Sequence, residues 1–308
     1  MIVKRAQMAA KQEAVAGTAE VLAGVDAFLA MNITFNPEIE MGARDNVTSS
    51  LSQFSPVAGA RKATIEFDVE LKGSGVGPAT PPALGKLLKG CGFGEAIVAV
   101  TSVTYKPAST AIAPITLAMY NDGVKYTVIG ALGNVNLKLE KGKPGLLHFV
   151  FTGADFTVTD VALLTTGVAY ETSKPIPFLT ATLLIDSYAA LLGALEFNMN
   201  NEVALRPDVN ASSGHKTAVI TGRKPTLSID PEMVLVATYD VFGKWRSGNE
   251  GALTLVLTGA AGNITTITAP KVQYTGAKLA DKSGIRSLGI DCQLNRNAGD
   301  DELVIAFT

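Results

Sequence analysis

At 308 residues, 47% hydrophobic and 18% charged, the chain is long enough for about two domains with buried cores and too apolar to be disordered. Its formal net charge of -2 excludes a basic nucleic-acid grip, because neutralising phosphates takes clustered Lys and Arg. DNA could pass nearby without being held.

In chain order, Met1-Ile2-Val3-Lys4-Arg5 lacks the apolar core of a secretion signal, which points to a protein made and kept in the cytoplasm. Asn36 to Ala60 follows as an unusually long connection, since loops beyond roughly 12 to 15 residues in a compact domain are usually functional. Ala63 to Leu71 is the clearest strand: Ile65, Phe67, Val69 and Leu71 alternate with Glu66, Asp68 and Glu70, giving one buried face and one acidic, wet face. Gly73 to Pro78 is spaced like a phosphate loop, but Pro78 and the absence of a following Lys-Ser/Thr defeat that fingerprint, so it reads as a flexible insertion. Pro81-Pro82 opens a helix with Leu84, Leu87, Leu88 and Cys91 on one face and Gly92 as its stop. Val135, Leu137 and Leu139 alternate with Asn136, Lys138 and Glu140 in another strand.

Small, polar and proline residues from Thr165 to Pro177 form a linker, placing a domain boundary near residue 170. Beyond it, Asn198 to Gly222 is a second long connection. Pro231 opens a second helical stripe of Val234, Ala237, Val241 and Trp245 before Gly248. Strand alternation returns at Leu253 to Leu257, at Leu288 to Leu294, and at Leu303, Ile305 and Phe307, which should tie the C-terminus into a sheet.

The two halves repeat each other. Phe35 to Leu71 laid over Phe197 to Met233, a constant offset of 162, gives 12 identities in 37 positions, where unrelated sequences share roughly two. The identities include Glu40/Glu202, Arg44/Arg206, Arg61/Arg223, Lys62/Lys224, Asp68/Asp230 and Glu70/Glu232. Gly130 to Asn134 and Phe151 to Gly153 find weaker echoes at Gly259 to Asn263 and Tyr274 to Gly276. Both copies keep the long connection at one length, so these segments are expected to dock on an adjacent ring or chain. Glu40, Arg44, Arg61, Lys62, Glu202, Arg206, Arg223 and Lys224 are the candidate inter-subunit residues, the alternative for Arg61-Lys62 and Arg223-Lys224 being gatekeeping charges before an apolar strand.

Catalytic chemistry is not in view. His148 and His215 lie near no catalytic or metal pattern. Cys91 and Cys292, the two cysteines, lack metal-ligand spacing and read as buried free thiols. Asp300-Asp301-Glu302 reads as a solvated turn. No run approaches the ~18 apolar residues of a membrane span. An enzyme, a metal site and a bound cofactor are therefore not expected, and the rival class is a tandem β-sandwich binding or adhesion module on a virion or cell surface.

Lys11-Gln12-Glu13 with Gly17-Thr18-Ala19, Val57 to Leu71 with Lys72-Gly73-Ser74-Gly75, Leu84 to Phe93, Gly130 to Asn134, Phe151-Thr152-Gly153 and Ala269 to Gln273 together resemble the tail tube proteins of long-tailed bacteriophages and prophages. The resemblance spans nearly the whole chain. It implies a mainly β fold: two tandem tail-tube-like β-sandwich domains, residues 1–170 and 171–308, each with one short flanking helix and each lending strands to an oligomeric β-barrel. It further implies a virion structural protein that self-assembles in the host cytoplasm into stacked rings, the conduit for DNA ejection. The partners so implied are copies of itself, the tape-measure, tail terminator and tail tip proteins, and DNA sliding through the lumen without specific binding. Duplication suggests three chains per ring in place of six. Glu66, Asp68, Glu70, Asp230 and Glu232 are the candidate lumen-facing acids, the alternative being an outer solvated face.

Overall fold

The computed structural model describes residues 2–308; Met1, named above at the start of the chain, lies outside them. Strands form wherever the period-two pattern can bury one face. The first half holds β1 (Ala6–Gln12), β2 (Ala27–Phe28), β3 (Met31–Gly42), β4 (Val57–Glu70), the helix α1 (Gly85–Gly90), β5 (Phe93–Val98), β6 (Ser102–Pro107), β7 (Ile115–Asn121), β8 (Val124–Glu140), β9 (Leu146–Gly153) and β10 (Asp155–Asp160). The second holds β11 (Thr182–Ile185), β12 (Ala194–Asn198), β13 (Asn201–Pro207), β14 (His215–Arg223), β15 (Thr226–Ile229), the helix α2 (Val241–Ser247), β16 (Glu250–Leu257), β17 (Thr265–Lys282), β18 (Ile285–Asn295) and β19 (Val304–Phe307).

Each half is a sandwich whose layers share one long bent strand. In the first, the N-terminal part of β8 pairs with β7 and β10, while its C-terminal part pairs with β9, which pairs with β4 and then β3. β17 does the same in the second: β16 and β19 flank its start, and β18 its remainder, followed by β15 and β12. Gly130 sits at the bend of β8 in the left-handed region, φ +65, where a side chain would be strained. The bend is fastened from the N-terminal motif. Buried Glu13 accepts the backbone N–H of Gly130 at 2.7 Å and of Gly17 at 2.7 Å, and the Thr116 hydroxyl at 2.9 Å. Burial nevertheless pushes its carboxyl above the usual carboxylate range, against the pull of those donors.

The halves are not separate bodies. The C-terminal part of β8 pairs antiparallel with β12, from Glu140↔Ala194 to Asn136↔Asn198, and β6 pairs with β19. One buried apolar cluster runs through both, from Phe67, Phe149 and Phe151 to Leu255, Ile290 and Phe307. The C-terminal strand is thus tied in from both sides, as its alternation predicts. Cys91 and Cys292 are buried and free.

Three expectations change. Gly73 to Pro78 is no loose insertion: Gly73 N–H donates to Asn263 Oδ1 at 2.8 Å, and Gly75 N–H to the Gly262 carbonyl at 3.1 Å. A Cβ on Gly73 would stand 2.1 Å from that carbonyl oxygen, so only glycine permits this approach between the halves. The second helix is confined to Val241–Ser247, capped by Asp240 accepting from Gly243 N–H, while residues 231–240 form an irregular cover. Its Val234, Val236 and Thr238 are poor helix formers, and Tyr239 is held by stacking on Tyr188 and by a 2.7 Å hydroxyl contact with Tyr274. The weaker echo also falls on unlike elements, since Phe151–Gly153 lies in β9 but Tyr274–Gly276 in β17.

Candidate assembly surface

The stronger repeat is real in three dimensions. Thr34, Phe35 and Asn36 pair with Glu66, Ile65 and Thr64; Glu196, Phe197 and Asn198, each 162 residues on, pair with Ser228, Leu227 and Thr226. Even the irregularity is shared. Ile39↔Arg61, Met41↔Ala58 and Gly42↔Val57 with an intervening shift recur as Asn201↔Arg223, Val203↔Ile220 and Ala204↔Val219 with theirs.

The long connections expected as loops are therefore β-hairpin arms, and they differ in where they lie. In the first, β3 and β4 run unbroken into the arm, and residues 38–59 are exposed. In the second, Pro225 replaces Ala63 of the first copy, and proline cannot donate to the ladder. Asn200, at φ +47, turns the chain and bonds through Nδ2 to the Lys224 carbonyl and the Thr226 hydroxyl. The arm β13–β14 thereby folds back over the first half, where Asn201 Nδ2 donates to the carbonyls of Cys91 and Gly133, and Thr217 and Ala218 are buried.

The structure engages several candidate inter-subunit residues within the chain. Arg61 forms a bidentate pair with Asp155, at 2.6 and 3.0 Å, and reaches Ser212 at the turn of the second arm. Arg223 bonds Asp300, Glu302 and the Ala108 carbonyl. Lys62 pairs with Glu38 at 3.1 Å and Lys224 with Glu202 at 3.0 Å. Arg44 lies over the Phe54 ring at the tip of the first arm, while Glu40 and Arg206 are exposed.

Across β3, β4, β9, β8, β12, β15, β18 and β17, one sheet face is core and the other polar. Glu66, Asp68 and Glu70 are half-buried on the polar face of β4, and Asp68 contacts His148 Nδ1 at 2.7 Å and Asn32 at 2.7 Å. Asp230, at the end of β15, accepts the N–H groups of Gly193 and Ala194 at 2.8 Å and pairs with Lys282 at 2.5 Å. Glu232 is exposed just beyond, bridged to Ser287 as Glu70 pairs with Leu146. Asn134, Asn136, Glu196, Ser228 and Asp291 continue this face, with Asn136 Nδ2 donating to Glu196 Oε1 at 2.5 Å. Of these, Asn136 and Asp291 are legible from their strands' alternation, whereas Glu196 enters only through pairing between distant strands. Among the described residues, no group of three or more His, Cys, Asp or Glu side chains is arranged to hold a metal ion, and no helix is long and apolar enough to cross a membrane.

A duplicated sandwich with a polar sheet face, a projecting arm and open strand edges is the form of a building block. Residues 4–292 match the family described as phage tail tube protein. The chain belongs to that family. This tail tube protein is thus a structural component of a phage tail, mainly β in fold, with its sheets not closed into a barrel within one chain. No curated protein matches it in sequence.

Proposed function

We propose that the tail tube protein self-assembles in the host cytoplasm into rings of three chains, six repeat units around a bore, and that the rings stack into the conduit through which DNA is ejected. The repeat units are residues 1–170 and 171–308. The observation that carries this reading is the β8–β12 ladder, which already joins two repeat units edge to edge into one sheet within a single chain. A ring is that join repeated until rotation closes it.

In this reading the polar face bearing Glu66, Asp68, Glu70, Asp230 and Glu232 borders the bore. Its side chains are mostly carboxylates and amides, and fixed negative charge lets a polyanion slide where clustered cations would hold it by counterion release. The tape-measure protein fills the bore before ejection, and terminator and tip proteins close the ends. No catalytic step is needed. Negative-stain microscopy of the concentrated protein should show rings or hollow tubes; a protein that stays monomeric at every concentration would overturn the proposal.

A further inference from the structure

Each half leaves open one strand edge whose counterpart in the other half is covered. Phe197 of β12 and Leu137 of β8 are paired and buried, at 1% and 3% exposure. Phe35, the counterpart of Phe197, is half-buried, and among the described residues β3 has β4 as its one strand partner. The counterpart of Leu137 follows from the ladders. Ile65 pairs with Phe151 and Leu227 with Cys292; two residues along in each β4/β15 pair, Phe67 pairs with Phe149 and Ile229 with Ile290. From there Leu147 leads to Leu137, and Leu288 leads to Leu279. Leu279 is 60% exposed, on a stretch of β17 whose outer edge is open beyond Gln273, the last residue paired with β16. A long unpaired edge with an apolar residue on its core-side face is a template for another strand.

We propose that β17 of one copy takes up β3 of the next in the register that β8 and β12 hold within the chain: Lys278 opposite Asn36, Leu279 opposite Phe35 and Ala280 opposite Thr34, the ladder ending where β3 shifts register between Met31 and Thr34. The occupant of each open edge is thus a second copy of this chain. The join is head to tail, so it repeats from copy to copy and closes into a ring when its rotation completes a full turn, and every repeat unit meets its neighbours through one kind of ladder. Core and polar faces both continue across these pairs, with Phe35 and Leu279 completing the apolar layer and Thr34 and Ala280 the polar one; beyond them Asp281 stands where the template has buried Leu139. The inference rests on the ring reading above, but adds which strands meet and in what register.

The test uses paired cysteines, with both native thiols buried and out of reach. In the template ladder, Met199 N–H bonds the Val135 carbonyl and Lys141 N–H the Gly193 carbonyl. The intervening Glu196↔Lys138 pair is therefore of the non-hydrogen-bonded kind, the closer of the two, and near disulfide geometry. Its counterpart is Thr34 opposite Ala280. Both positions are exposed, so Thr34→Cys with Ala280→Cys leaves the fold intact. Oxidised under assembly conditions and run denatured without reductant, this double variant should give covalent dimers and trimers and stop at three. Thr34→Cys with Lys278→Cys, slipped by two residues, and each single variant should remain monomeric. Rings seen by microscopy with no Thr34–Ala280 cross-link, or with the slipped pair cross-linking instead, would overturn the register while leaving the ring reading intact. Absence of any assembly from the unmodified protein would overturn both, and a ladder running past three would uphold the strand pairing while overturning three-chain closure.

Discussion

Glu13 shows how one side chain can hold a fold whose chemistry is otherwise only packing. Three donors converge on its buried carboxylate from the N-terminal turn, β7 and the bend of β8. Glutamine keeps the shape but turns an amide N–H₂ toward a donor, leaving buried groups unsatisfied, so Glu13→Gln should cost about 1–3 kcal/mol. Thermal unfolding of the monomer checks this, and an unchanged midpoint would refute it. The pH dependence has a definite sign. Because burial raises this carboxyl in the folded state, its contribution is full below the unfolded carboxylate's range and is lost as pH rises through the folded value. The deficit of the glutamine variant should therefore be largest in acid and narrow toward neutral pH.

At the scale of elements, the two arms share sequence and register but not fate. The first arm's tip, residues 43–56, pairs with no other strand among the described residues and is exposed, so replacing it by a short turn should leave the unfolding free energy within about 0.5 kcal/mol of the parent, as for other surface changes. Tube growth should nevertheless fail, because the same arm in the second copy lies across a neighbouring repeat unit. Normal tubes from the shortened protein would end that idea. Removing residues 201–223 should instead destabilise the fold itself, since Thr217, Ala218 and Asn201 pack on the first half. What the sequence made legible follows from burial: β4, β8, β16 and β18 each hide one face, and period two records that. The arms hide neither face of their own accord, so no alternation marked them as strands. The stripe from Val234 to Trp245 imitated a helix because a cover over a sheet also needs spaced apolar residues. The candidate charges were visible as repeated residues, but their partners Asp155, Asp300 and Glu302 are set by long-range pairing.

For the whole molecule, stoichiometry is the question that duplication raises. A ring of six chains with the second half as outer decoration would leave that half free to drift, joined only by a linker. Instead β12 enters the same sheet as β8, β6 and β19 close a second ladder, and the glycines at 73 and 262 touch backbone to backbone. Such a second half is held as rigidly as a neighbouring subunit would be. Fusing two ring positions also halves the number of bodies ordered at assembly, and frees the two arms to diverge, as Pro225 against Ala63 records. Three chains of 32.1 kDa make a ring of about 96 kDa, and mass measurement of isolated rings should find that value or its multiples by whole rings. A tube reconstruction should show three-fold symmetry with alternating projecting and folded-back arms. True six-fold symmetry, with first halves alone around the bore, would refute the three-chain ring.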